Sequence, residues 1–142
     1  MFKMKLLQAL MVTALSATSL IATAVTLKVA NQGDALSMDP HSLNESLQLT
    51  VVGNIYEPLV TRGADYKITG ALATSWKQTA PTVWRFELRK GVQFHDGTPF
   101  TADDVIFSYE RAKGEGSDMK SYVGQIAEIK KINDHTIDFV TR

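Results

Sequence analysis

The stretch whose reading decides the fold is VWRFELRKGVQFHDGTPFTADDVIFSYER, Val83 to Arg111. Its opening alternates. Trp84, Phe86 and Leu88 fall on one face of an extended chain and Arg85, Glu87 and Arg89 on the other, because successive side chains of a strand point to opposite sides. This is a strand of an antiparallel sheet with one dry face and one wet face. Lys90 and Gly91 turn the chain into a short extended piece, Val92 to Phe94, and His95 to Pro99 reads as a tight turn. Thr101 then opens a helix. Its hydroxyl can cap the amide three residues on, Asp104 can return the bond, and Asp103 and Asp104 sit at the positive end of the dipole. Val105, Tyr109 and Ala112 line the inner face, Glu110, Arg111 and Lys113 face water, and Gly114 to Ser117 stops the helix.

Outward from this stretch, Ile126 to Ile132 and Thr136 to Thr141 form a hairpin turning at Asn133 to His135. On the other side, Ile68 to Phe94 is strand-rich throughout, and Leu59 to Thr61 is a short strand. Asn44 or Ser46 caps a helix that runs to about Tyr56, with Leu47, Val51, Val52 and Ile55 as its apolar stripe and Pro58 as its stop. Asp39, Pro40 and His41 make a turn, since a proline pushes the preceding residue out of helical geometry. Thr26 to Ala30 reads as a strand.

The N-terminus is an address. Lys3 and Lys5 precede an uncharged run from Leu6 to Leu27, and Ala22 and Ala24 supply the small residues of a cleavage site. Basic start, apolar middle and A-x-A end are the parts of a secretory signal peptide, cleaved after Ala24. A transmembrane anchor is the rival, but Gln8, Thr13, Ser16, Thr18, Ser19 and Thr23 dilute the run with polar groups. The chain of 142 residues has no cysteine, so no lipid can be attached near the cleavage point and no disulfide, thiolate metal site or cysteine nucleophile exists. The expectation is a free periplasmic protein. With 15 basic against 15 acidic residues, nucleic acid is excluded as a partner.

The chain offers little to a catalytic reading. His95 and Asp96 are adjacent, with no further ligand at a metal-like spacing. Asp103 and Asp104 are explained by the helix start. Gly114 and Gly116 lack the rest of a phosphate loop, and there is no G-x-S-x-G turn. Trp76, Trp84 and Tyr109 read as core residues. The expectation is no enzyme, no cofactor and no metal site.

The segment ALATSW, Ala71 to Trp76, followed by Val83 to Arg111, closely resembles the signature of the family 5 extracellular solute-binding proteins: LAxSW, then tFxLRxgVxFHDGxPxxAxDVxxSxxR. Asp39 to His41 resembles the family's early DPH turn, Asn54 to Leu59 its N-[IL]-[YF]-E-x-L helix end, and Ile132 to Ile137 its D-x-x-T-[IV] hairpin. Only Gln78 to Thr82 departs, where Thr79, Ala80 and Pro81 replace the usual acidic turn.

The resemblance implies an α/β protein, part of a two-lobe periplasmic-binding-protein-like (class II) fold that closes on its solute by a hinge. Residues 1–24 would be the signal peptide, 25–61 the first strand and helix of lobe one, and 62–142 most of an appended mixed α+β sub-domain. The remainder of both lobes would belong to a longer receptor, of which this is the opening part. The implied function is capture of a peptide-like solute (dipeptide, oligopeptide, glutathione or chelated nickel) and its delivery to an ABC-type membrane permease, by a monomer without a membrane anchor. The loop of Leu36, Ser37, Met38 and Asp39 would contact the ligand, its backbone accepting an extended peptide as an added strand. An exported hydrolase and a stand-alone structural domain are the alternatives.

Overall fold

A computed structural model describes residues 26–142, and the signal peptide expected over residues 1–24 lies outside the described residues. The chain divides into two units between Ala30 and Asn31. Of the first, Thr26–Ala30 has no regular structure and is exposed, with Leu27 and Val29 largely in solvent. The strand expected there is not formed. A strand exists only through a neighbouring ladder, and among the described residues none pairs with it.

The second unit begins with an irregular loop and a helix, α1 (Ser46–Val52). Its cap is Glu45, not the expected Asn44 or Ser46: the Glu45 carboxylate accepts from the Leu47 and Gln48 N–H groups at 3.0 and 2.9 Å. The helix also ends four residues before Tyr56. Asn54 N–H turns back to the Val51 carbonyl and Ile55 N–H to Val52, tightened bonds that wind the chain out of α geometry. Ile55, expected on the apolar stripe, is therefore exposed.

Then come the paired strands β1 (Val60–Arg62) and β2 (Ile68–Gly70), followed by β3 (Ala73–Ala80) and β4 (Val83–Leu88). Helices α2 (Ala102–Lys113) and α3 (Lys120–Val123) lead into the hairpin of β5 (Ile126–Asn133) and β6 (Thr136–Thr141). The larger sheet has the order β3-β4-β6-β5 and is antiparallel at every pairing.

The alternation in Val83–Leu88 sets the faces. In register across the sheet, Trp76 meets Phe86 and Phe86 meets Ile137. On that face Leu88 and Ile137 form the core with Phe100, Ala102 and Val105, so α2 lies across it. Phe86 stacks on Trp76 at 6.2 Å and meets Phe139 edge-on at 5.0 Å. Helix α2 covers only part of the face. Trp84, expected in the core, is 38% exposed, whereas Tyr109 is buried and donates its hydroxyl to the Ile126 carbonyl at 2.8 Å.

The opposite face is not uniformly wet. Arg85 donates through Nε and Nη2 to the two carboxylate oxygens of Asp138 at 2.7 and 2.8 Å, and Asp138 is buried beneath that fork. The expected reciprocal cap of α2 is present: Asp104 accepts from the Thr101 N–H at 2.7 Å. Gly91 and Gly97 carry the positive φ of the two turns flanking Val92 to Phe94.

Candidate functional site

The four residues expected to meet ligand, Leu36 to Asp39, form one continuous loop ahead of α1. Leu36 and Met38 project into solvent, 84% and 54% exposed. Behind them lies Gln48, a fully buried side chain of α1. Its Oε1 accepts from the N–H groups of Leu36 and Ser37 at 3.0 and 3.4 Å, and its Nε2 donates to the Ser37 carbonyl. The Ser37 backbone is thereby committed to the protein and is not free for an added strand. Among the described residues, the Met38 N–H and C=O and the Leu36 C=O have no protein partner. Asp39 N–H donates to the Ser37 hydroxyl at 3.1 Å, which closes the loop locally.

Asp39 is the electrostatic centre of the loop. One carboxylate oxygen accepts from the His41 N–H at 2.9 Å and the other from Nη2 of Arg111, on α2. The His41 amide first, and the Arg111 guanidinium next, hold the Asp39 carboxyl below its ordinary value of 3.8, against the opposing effect of burial. Burial lowers the pKa of the neighbouring His41, and Arg111 adds to this while Asp39 opposes it. A second tether runs from the Asp118 N–H to the His41 carbonyl at 2.9 Å. Residues more than seventy positions away thus hold the loop.

The sign of the pH dependence follows. The folded pKa of Asp39 is depressed, so its contribution to holding the loop is complete above about 3.8 and is lost as pH falls through the lowered value. A carboxyl NMR titration of Asp39 is expected to give a midpoint below 3.8. In Arg111→Ala the midpoint rises only part of the way back, because the His41 amide still donates. An identical midpoint in the two proteins would refute the pairing.

A groove of about 820 Å³ opens beside His41, lined by Val52, Leu59, Val92, Phe94 and Phe100. Its lining is mainly apolar, with His41, His95, Glu57 and Asp104 among the polar residues at its wall. Among the described residues no three His, Asp or Glu side chains gather as a metal site. Nor does a serine or threonine hydroxyl hydrogen-bond to a histidine among them. His95 and Asp96 are exposed in their turn, where Asp96 accepts from the Thr98 N–H and hydroxyl at 2.9 and 2.7 Å. Among the described residues no helix is long and apolar enough to cross a membrane.

The loop was legible as a turn, but its two anchors were not. Gln48 is buried on a short helix together with Val52, and the sequence stripe of Leu47, Val51, Val52 and Ile55 included only the second of these. Arg111 read as a solvent-facing charge near the end of α2.

Comparison with known proteins gives this geometry its context. The model of the bacterial extracellular solute-binding proteins, family 5 (middle region), matches residues 67–142, more than half of the chain. The periplasmic oligopeptide-binding protein OppA of Escherichia coli is 30% identical over 127 residues, covering 76% of this chain and 23% of the relative. Among solved structures, the Helicobacter pylori periplasmic binding protein DppA, in complex with the peptide STSA, is 33% identical with a TM-score of 0.63. The match covers 77% of this chain and 25% of DppA. Haemophilus influenzae OppA, in complex with RPPGFSPFR, is 24% identical with a TM-score of 0.72 over 76% of this chain and 25% of that one, a likeness of fold. The chain therefore spans about a quarter of the length of the relatives it matches. With the signature stretch forming the β4 strand, the turn and the α2 helix that the match runs through, the chain belongs to the family 5 bacterial extracellular solute-binding proteins.

Proposed function

We propose that this chain forms the opening part of an exported receptor that captures a peptide-like solute by closure of two lobes and delivers it to the permease of an ABC-type importer. In this reading residues 1–24 are removed on export to the periplasm, residues 25–61 begin lobe one, and residues 62–142 form its appended sub-domain. The protein acts as a monomer and carries out no reaction. Family membership supports a solute-binding role, and the peptide class is supported by OppA and DppA, named for oligopeptide binding and seen with a peptide respectively.

The observation that carries the reading is the loop Leu36–Asp39. Its backbone is held from behind, its apolar side chains stand in solvent, and the Met38 N–H and C=O are without protein partners among the described residues. An extended peptide needs such main-chain groups beside apolar contacts. The test uses the protein purified from the exported fraction of its native host. Calorimetric titration with dialanine, trialanine, a nonapeptide, glutathione and a nickel–histidine chelate, followed by chromatography of the solute, separates the readings. Saturable binding of a peptide recovered intact is the expected result. Cleaved peptide would mean a hydrolase, binding of the nickel chelate alone would overturn the peptide class, and no binding of any of the five solutes would favour a structural role.

A further inference from the structure

We infer that Gln48 is a positioning residue for the solute-contact loop: its buried carboxamide stands in for a neighbouring strand and holds the backbone of Leu36 and Ser37 in the binding arrangement. This rests on the reading of Leu36–Asp39 as a solute contact. Three observations carry it. First, Gln48 is 2% exposed and occupies a core position of α1, where a leucine or methionine would pack as well. A buried carboxamide is costly unless its donor and acceptor are satisfied. Second, the partners that satisfy it are backbone groups of one short loop eleven and twelve residues away: two N–H groups on Oε1 and the Ser37 carbonyl on Nε2. That set copies the N–H and C=O exchange of a paired strand. Third, the loop's outward side is left available, with Leu36 and Met38 exposed and the Met38 backbone groups unpaired among the described residues.

The physical consequence is preorganisation. A solute that meets an ordered loop does not have to supply the free energy of ordering it. Arg111 contributes from the other side by holding Asp39, but that pair is a third exposed and ties the far end of the loop. Among the described residues, Gln48 alone hydrogen-bonds to the backbone of Leu36 and Ser37.

Two variants test this in the purified protein, with trialanine as the probe. Gln48→Met keeps the volume and removes all three hydrogen bonds, while Gln48→Glu keeps the acceptor for the two N–H groups and loses the donor. In Gln48→Met, amide exchange at Leu36 and Ser37 is expected to quicken by about tenfold or more, with β4 and β6 amides unchanged. Trialanine affinity is expected to fall by about tenfold, and Gln48→Glu should lie between Gln48→Met and the parent in both measurements. Unchanged exchange at Leu36 and Ser37 overturns the inference and leaves the solute-contact reading standing. Faster exchange with unchanged affinity, or a parent that binds no peptide, sinks the solute-contact reading instead. Loss of β4 and β6 protection in both variants would make Gln48 a residue of the fold and overturn the inference too.

Discussion

Ile137→Ala is expected to lower the unfolding free energy by about 2–5 kcal/mol, the range for removing most of a buried isoleucine from a packed core. Ile137 is fully buried on β6, flanked in the sheet by Phe86 on β4 and Lys131 on β5. It shares the core with Leu88, Phe100, Ala102 and Val105. Two of those four are alanine and valine, so few side chains can relax into the space. Domains of this size have about 5–15 kcal/mol of stability in all, and the loss is a large share of it. Urea unfolding followed by tryptophan fluorescence should show a lower midpoint with an unchanged slope. Ile137→Val, which removes a single methylene, should cost about 0.5–1.5 kcal/mol. A loss below 1 kcal/mol in Ile137→Ala would mean that the α2-on-sheet core is not the stabilising unit.

Gly70→Ala should separate the small hairpin from the large sheet. A Cβ built on Gly70 would stand 2.4 Å from the Ala73 carbonyl oxygen, closer than such contacts occur, and the obstructing atom is backbone. The chain must move where the two sheets are joined. There the Ala71 and Ala73 N–H groups both donate to the Leu59 carbonyl, at 3.0 and 2.8 Å, and Leu72 N–H donates to Pro58 at 3.0 Å. The Arg89 N–H reaches the Leu72 carbonyl at 2.7 Å and its Nε the Ala71 carbonyl at 3.0 Å. Ala71 and Ala73 are themselves buried, so the junction has nowhere to expand. Overpacking of this kind costs about 1–3 kcal/mol. Amide exchange at Ala71, Leu72 and Ala73 should quicken while β4 and β6 stay protected. Gly97→Ala is the contrast: its φ of 86° strains an alanine, yet a Cβ there meets no atom within 4 Å, so the junction amides should not respond. Equal exchange in the parent and Gly70→Ala would show that the hairpin is not locked to the sheet at this point.

The legible parts share one property: their cause is local. Val83 to Leu88 alternates because the two faces of a strand have different neighbours, and β4 forms over those residues. Thr101 and Asp104 stand three apart, as the reciprocal cap requires, and α2 starts at Ala102. The β5–β6 hairpin turns at Asp134 and His135, with Asn133, expected in the turn, closing the ladder opposite Thr136. Trp84 shows where a local signal falls short. Its place on the dry face was correct, but exposure depends on whether a helix reaches that far across the sheet, and α2 does not.

The candidate site was legible only in outline. The turn at Asp39 to His41 announces itself through Pro40, and the loop before it can be named from the family resemblance. The way the loop is held cannot. Arg111 is 72 positions from Asp39 and presents as one more charge on a helix surface, and Gln48 interrupts an apolar pattern as though it were solvent-facing.

From its amino acids alone this chain declared a family and the strands and helix of its signature region, because periodicity, caps and turns act within a few residues. The folded chain decided which residues brace the loop Leu36–Asp39 and where α1 stops. It also decided that Thr26–Ala30 remains unpaired among the described residues. Each of these depends on which distant groups are brought within hydrogen-bond reach, and a buried polar group or an open strand edge takes its meaning from the partner it finds.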